Sequence, residues 1–254
     1  LLTSQPVVED IARVFPATIE LATVTILLGA GIGVPLGVYA AVYRGRFADY
    51  LVRLLSLLGY STPIFWLGLI GLLLFYAKLG WVGGSGRLDL YYLDLVPERT
   101  GLLLVDSLLA RDYEVFWNAF RHIILPASVL GYASIAYISR MTRSFMLEQM
   151  GEEYIIAARA KGVPLQRLIW RHAFLNIRVQ VVTIVALSYG GMLEGAVLIE
   201  TVFGWPGFGQ YLTNALLIGD MNAVVASVLL VGVIFIGLNL ISDLLYRVFD
   251  PRTR

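Results

Sequence analysis

The chain has 254 residues, of which 58% are hydrophobic and 15% charged, and its net charge is +1. Soluble domains carry about 25% charged residues, so too few polar residues are present here to cover a surface exposed to water. Lipid must therefore solvate much of the protein surface. The absence of cysteine excludes disulfides and thiolate metal sites, and the near-neutral charge predicts no nucleic-acid partner.

Five apolar stretches have about the length needed to cross a bilayer, which takes roughly 20 residues. Backbone groups in lipid must hydrogen-bond within their own segment, so each stretch is predicted to be an α-helix. The sequence therefore predicts an all-α, polytopic transmembrane helical bundle. The predicted spans are Ala17–Val42, Leu54–Ala77, Ile123–Ser139, Val179–Ile199 and Ala223–Ser242.

The basic residues predict the orientation of these spans. Tyr43–Arg53, Arg140–Arg178 and the tail from Arg247 hold 13 of the 19 Lys and Arg residues, and cytoplasmic loops are enriched in these residues. The segment Glu200–Asn222 has no Lys or Arg, and Lys78–His122 has five basic against six acidic residues. Five alternating spans then place the N-terminal residues outside and the C-terminus in the cytoplasm.

Residues 1–254 are predicted to form a single transmembrane domain with two long connections. The outer loop 78–122 is long enough to have structure of its own. The segment 144–178 is too polar to span the membrane, and residues 153–161 are mostly good helix formers, with acids leading and bases trailing. Gly162 stands where a left-handed helix cap belongs, Pro164 follows, and a second helix is predicted from about Leu165 to Phe174.

Two interpretations of segment 144–178 fit its residues. The first is an amphipathic helix lying on the lipid headgroups. The second is a protruding knob that binds another protein, since Ala157, Ala158 and Ala160 have small side chains that allow close approach. Arg159 and Lys161 would pair with acids of that protein, or serve only as positive-inside anchors.

The segment resembles the cytoplasmic EAA loop of binding-protein-dependent ABC importer permeases, in particular the dipeptide, oligopeptide and nickel family. The resemblance is carried by E-Y-I-I-A-A-R-A-K-G at 153–162, R-H-A at 171–173 and Asn176. It extends over nearly the whole chain, because four flanking motifs agree: H-I-I-L-P-A at 122–127, R-M-T-R-S at 140–144, E-T-V-F-G-W-P-G-F-G at 200–209 and D-P-R at 250–252.

This resemblance implies a type I ABC importer permease, the first of two permease subunits, that forms the translocation path for peptides or similar small solutes. Family members usually have six spans, and this chain begins at Leu1 with no initiator Met, so a first span is expected to precede the five. The residues implied to couple the chain to an ATPase are Glu153, Tyr154, Ala157, Ala158, Arg159, Ala160, Lys161, Gly162, His172 and Asn176.

The resemblance also implies partners. They are a second homologous permease subunit, two ATP-binding subunits, an external solute-binding protein and membrane lipid. ATP and Mg would be used by the ATP-binding subunits, and no cofactor is expected on this chain. The chain is not expected to be an enzyme, since it has no P-loop G-x-x-x-x-G-K-[ST] motif.

Two features inside the predicted spans each have two interpretations. Gly29, Gly33 and Gly37 recur every four residues, a spacing that lets membrane helices pack closely; the alternative is a role in gating. Glu194 is the one carboxyl group well inside a span, and such groups usually face a protein interior or water. It is predicted either to line the translocation path or to bond to a neighbour near the outer interface.

The motif Trp205-Pro206-Gly207 predicts an outer turn. Trp205 is expected at the membrane interface, and the resemblance implies that this turn lies near the solute-binding protein. Glu200 is predicted to be a structural partner within the same loop.

Two other classes of function are alternatives to an ABC importer permease when the residues are considered alone. A secondary transporter driven by an ion gradient often has internal repeats and midplane polar groups, and the one embedded carboxyl group is weak support for it. An intramembrane enzyme would need a nucleophile–base pair or metal ligands at one depth. The only histidines, His122 and His172, lie on opposite sides of the predicted topology, so they form no such site.

Overall fold

The computed structural model of the protein is 82% helical. It describes the backbone of residues 5–93 and 95–249, without the side chains at 48, 60, 193, 194, 238 and 241–249. No strand occurs within the described ranges, which confirms the predicted all-α class.

The described residues form ten α-helices, most of them joined by short turns, with one longer connection between Lys78 and Leu103. Two turns of π-helix, Leu72–Lys78 and Leu168–Ala173, and a 3₁₀ turn, Leu90–Tyr92, interrupt them. The α-helices are α1 Val7–Val42, α2 Phe47–Ser61, α3 Ile64–Gly71, α4 Leu103–Ala110, α5 Tyr113–Met150, α6 Glu153–Ala160, α7 Leu165–Arg167, α8 Phe174–Phe203, α9 Phe208–Ile218 and α10 Met221–Phe249.

Among the described residues, three helical segments are long and apolar enough to cross a membrane: Val7–Val42, Tyr113–Met150 and Leu165–Met192. The pair Asp49–Gly59 and Ile64–Lys78, bent by 99°, would be a fourth if it forms one broken span. The three segments contain or overlap the first, third and fourth predicted spans, and α5 lengthens the short third span at both ends. The fifth predicted span lies in α10, whose described apolar part, Met221–Gly237, is shorter.

The second predicted span, Leu54–Ala77, is wrong as one continuous helix. α2 ends at Ser61 and α3 begins at Ile64. Pro63 causes the break, because its ring disfavours the helical conformation at Thr62. Pro63 itself is extended, with φ −60° and ψ 128°.

Contacts divide the chain into two compact units. The first comprises Leu1–Thr25, Thr62–Gly131 and Tyr189–Ile236, and the second comprises Ile26–Ser61, Tyr132–Ser188 and Gly237–Arg254. The second unit is built on an apolar cluster to which α1, α5, α6 and α8 contribute. Its buried members are Val38, Ala41, Met146, Ile155, Leu168, Ile169, Ala173, Ile177 and Val181.

In the first unit, Asp106 holds the turn 99–101, which lies in the segment 78–122 that the sequence predicts as a loop. Asp106 is 3% exposed, and its carboxyl oxygens accept hydrogen bonds from the backbone N–H groups of Arg99, Thr100 and Gly101 and from the Thr100 hydroxyl. Burial acts to raise the pKa of Asp106, but these hydrogen bonds outweigh it and hold the pKa below its usual value.

The stability of this segment should depend on pH through Asp106. Because the folded-state pKa lies below the unfolded value of about 3.9, Asp106 stabilises the fold at neutral pH, and this contribution is lost as the pH falls through the folded-state pKa. We expect Asp106→Asn to lower the free energy of unfolding by about 2 kcal/mol at pH 7. The difference from wild type should shrink towards pH 3 in thermal unfolding of the purified protein.

The control is Glu98→Gln, which changes an exposed carboxyl group in the same segment. A loss of unfolding free energy in Asp106→Asn that does not change with pH would contradict the stabilising role of the Asp106 carboxylate.

Candidate functional site

The helix α6 is a short rod with well-defined ends. It follows the end of α5 after only Gly151 and Glu152. At its other end the Gly162 N–H bonds to the Arg159 carbonyl oxygen at 3.0 Å, and the Val163 N–H to the Ala158 carbonyl oxygen at 3.2 Å. This pair of bonds is a Schellman motif, which needs a left-handed residue. Gly162 supplies it with φ +77°, as the Gly-Pro pattern predicts.

One face of α6 is anchored in the second unit. Ile155 is fully buried in the apolar cluster, which also contains Met146 of α5 and Ile177 of α8. Ala158 is partly buried and packs against the same cluster. Burial of an isoleucine side chain contributes about 2 kcal/mol, so α6 is held against α5 and α8.

The opposite face of α6, here called the outward face, is exposed. It includes Ile156, which is 58% exposed and the largest apolar side chain there. Ile156 is absent from the predicted coupling residues, although it lies about 100° around the helix from Ile155, so that burial of Ile155 turns Ile156 towards the exposed side. The outward face consists of Ile156, Ala157, Arg159, Ala160, Lys161 and Gly162, all exposed.

Tyr154 and Asn176, 22 residues apart, are brought together. The Asn176 side-chain amide donates to the Tyr154 hydroxyl at 2.7 Å. The His172 backbone carbonyl is 3.5 Å from the same hydroxyl, and the His172 side chain is partly buried. Glu153 is exposed in the first turn of α6, where a carboxylate interacts favourably with the helix dipole. The ten predicted coupling residues thus include the outward set, which is the outward face without Ile156, and, at its edge, Tyr154 and Asn176, which are exposed but hydrogen-bonded to each other.

The glycines of α1 lie against α5. A β-carbon built on Gly29 would lie 3.1 Å from the Ser134 β-carbon, and one on Gly33 would lie 3.1 Å from the Ile138 β-carbon. On Gly37 it would lie 2.5 Å from a backbone oxygen of α5. Of these three glycines, Gly37 therefore lies closest to α5. Glu194 lies in α8, but its side chain is outside the described residues.

In the first unit, the motif at 200–209 forms a buried turn around Glu200. The carboxyl group of Glu200 accepts hydrogen bonds from the Thr18 hydroxyl at 2.6 Å and the Gln210 N–H at 2.9 Å.

Trp205 is 1% exposed, and its indole N–H donates to the Ala17 carbonyl oxygen at 2.9 Å. The prediction of an interfacial Trp205 is therefore wrong, because this long-range hydrogen bond lets the ring be buried. Glu200 is the structural partner that the sequence predicts.

A metal centre in the described part of the chain would need a cluster of acidic, histidine or cysteine side chains. No group of three or more His, Cys, Asp or Glu side chains there has the geometry to hold a metal ion. His122 is 2% exposed, and its Nδ1 lies 2.8 Å from the Asn118 carbonyl oxygen. This histidine therefore has a local partner within the fold.

Comparison with known proteins identifies the family. Residues 33–254 match the family described as binding-protein-dependent transport system inner membrane component. The chain is 45% identical over its full length to the di/tripeptide transport system permease protein DppB of Pseudomonas aeruginosa, of which it covers 75%. Over 98% of its length it is 44% identical to two Escherichia coli proteins, the probable D,D-dipeptide permease DdpB and the dipeptide permease DppB, covering 73% and 74% of them.

The fold is also that of a solved transporter. The structure of the methionine ABC transporter MetNI in an inward-facing form matches with a TM-score of 0.70 and 16% identity, covering 98% of this chain and 100% of that chain. Identity this low shows the fold alone, which is that of an ABC importer permease. Together with the family match and the apolar helices, it assigns the chain to the multi-pass permeases. The chain therefore belongs to the dipeptide and oligopeptide family of ABC importer permeases, inner-membrane proteins that form the translocation subunit of an ATP-driven importer and work with other ABC components.

Proposed function

We propose that this chain carries peptides or similar small solutes into the cell, forming the path together with a second homologous permease subunit. Support comes from its relatives, which are named as permeases for dipeptides, D,D-dipeptides and di- or tripeptides. An external solute-binding protein delivers the solute. ATP and Mg are used by two ATP-binding subunits, while this chain binds no cofactor and has no catalytic activity of its own.

The observation that supports coupling most directly is the outward face of α6. A rod eight residues long carries small side chains and the exposed Ile156, while Ile155 on the other face is buried. Such a surface fits a groove on another protein without moving relative to its own membrane helices. In this proposal the loop and the C-terminus are cytoplasmic, and each ATP-binding subunit grips one such face.

Transport would then follow from a shift between two states. When the ATP-binding subunits close on ATP, they bind one arrangement of the permease pair better than the other, and the path opens outward. Reconstituted vesicles test this. Uptake of a labelled dipeptide should require ATP, the ATP-binding subunits and the binding protein. Uptake driven by an ion gradient without ATP would contradict it.

Gly162→Val tests the loop itself. No atom lies within 4 Å of a β-carbon built on Gly162, so a new side chain meets no steric block, and its effect comes from the φ of +77°. Backbone strain of about 1–3 kcal/mol should unwind the end of α6 and reduce binding of the ATP-binding subunit, and with it ATP-driven uptake, about tenfold or more.

Gly219→Val is the matched control. Gly219 also ends a helix, α9, with φ +79° and no atom within 4 Å. Its variant carries the same strain in the first unit, away from α6 in the sequence, and should still bind the ATP-binding subunit. Equal assembly and uptake in both variants, measured by co-purification and vesicle transport, would contradict the coupling role of residues 151–162.

A further inference from the structure

The Tyr154 hydroxyl lies between the two long helices that flank α6. Besides accepting from Asn176, it donates to the Gln149 side-chain oxygen at 2.8 Å. Gln149 is in the last turn of α5, and Asn176 is in the first turn of α8. A single side chain of α6 is thus hydrogen-bonded to both helices, and the hydroxyl acts as donor to one and acceptor from the other.

These hydrogen bonds are directional, unlike the apolar contact that Ile155 makes with the cluster. Ile155 is the only buried side chain of the helix, and because an apolar contact is non-directional, it fixes which face of α6 lies on the cluster but not the exact orientation of the helix. Hydrogen bonds are directional, and Tyr154 is next to Ile155 along the helix. The two features together fix both the position and the rotation of α6 relative to α5 and α8.

We propose that Tyr154 is a rigid link within the permease, which transmits force from the outward face of α6 to the ends of α5 and α8. This proposal rests on the proposed function, in which an ATP-binding subunit grips that face. It gives Tyr154 and Asn176 a different role from the outward set: they position the coupling helix and do not themselves contact the ATPase. Gln149, outside the predicted set, becomes the third member of the link.

Tyr154→Phe tests the link, since it removes only the hydroxyl. In vesicles containing the whole importer, the ATP-binding subunits should remain bound and should still hydrolyse ATP. The number of labelled dipeptides imported per ATP hydrolysed should fall about fivefold, the factor that one net hydrogen bond contributes to an equilibrium between two states. The control is Tyr50→Phe. Tyr50 is 59% exposed, and no hydrogen bond of its hydroxyl is found among the described residues.

A second variant separates the link from a general loss of packing. Asn176→Ala removes the bond to α8 but keeps the bond to Gln149 of α5, so it should also lower the transport ratio, by no more than Tyr154→Phe does. The double variant Tyr154→Phe/Asn176→Ala should be no worse than Tyr154→Phe alone, because Tyr154→Phe already removes the hydrogen bond that Asn176 makes. If Tyr154→Phe lowers the protein yield, the Asn176→Ala ratio decides the question by itself.

Three results would overturn the link. A normal ratio in both single variants would show that the hydroxyl transmits nothing, and additive losses would show that the two residues act separately. Loss of the ATP-binding subunit from Tyr154→Phe would make Tyr154 a contact residue and leave the proposed function intact. A wild-type chain that binds no ATP-binding subunit would overturn the proposed function itself, so the two failures are distinguishable.

Discussion

Gly37→Ala is expected to destabilise the protein strongly although it adds only one methyl group. The built β-carbon lies 2.5 Å from the Ser139 carbonyl oxygen, 2.7 Å from the Thr142 β-carbon and 3.1 Å from the Arg143 backbone nitrogen. Two of these atoms belong to the backbone of α5 and cannot rotate away, so the two helices must separate. The expected cost is about 3 kcal/mol, or roughly 6–12 °C in melting temperature for a chain of this size.

The same helix provides a graded control series. No atom lies within 4 Å of a β-carbon on Gly31, so Gly31→Ala should be neutral, or stabilising by up to about 1 kcal/mol through helix propensity. Gly29→Ala meets one side-chain atom at 3.1 Å, the Ser134 β-carbon, and one at 3.7 Å, and should fall between the two. Thermal unfolding of the three purified variants measures the order. Equal melting temperatures for Gly37→Ala and Gly31→Ala would contradict the close contact of α1 with α5.

Hydropathy and local turn signals predict much of this fold because both depend on neighbouring residues. Long apolar stretches indicate α1, α5 and α8, and the Gly162-Val163-Pro164 pattern predicts the end of α6 with its left-handed glycine. The break at Pro63 is missed for the opposite reason. The stretch Leu54–Ala77 is mostly apolar, so its average hydropathy predicts one span. An average does not show that a single residue, Pro63, breaks the helix through its backbone geometry.

Long-range hydrogen bonds account for what the sequence does not predict. Trp205 has the local pattern of an interfacial turn, but its partner, Ala17, is 188 residues away. Tyr154 and Asn176 both belong to the family motif, yet nothing in their spacing of 22 residues indicates that their side chains touch. Motif resemblance therefore predicts which residues matter around α6, and only the structure separates the outward-facing ones from those that brace the helix.

Glu200→Ala is expected to be among the most destabilising single changes in the first unit. Glu200 is fully buried, and its removal leaves the Thr18 hydroxyl and the Gln210 N–H without their acceptor. Thr18 in turn accepts the Phe208 N–H at 2.8 Å, so the hydroxyl that Glu200 orients is also the one that binds the start of α9. Each unsatisfied buried group costs about 1–3 kcal/mol, which predicts a total loss of roughly 4 kcal/mol. Glu148→Ala, at an exposed carboxyl of α5, should have little effect.

A double variant provides the stronger test of the Glu200 site. Gly207 has an ordinary extended backbone, with φ −103°, so Gly207→Ala is destabilising only because its β-carbon would overlap the Glu200 carboxyl group. In the Glu200→Ala background that carboxyl group is gone, and the new methyl group enters the space it leaves. The double variant should therefore be more stable than the sum of the two single losses predicts, by about 1–3 kcal/mol. Additive losses in thermal unfolding would show that Gly207 and Glu200 do not share this space, and the buried turn around Glu200 would have to be packed differently.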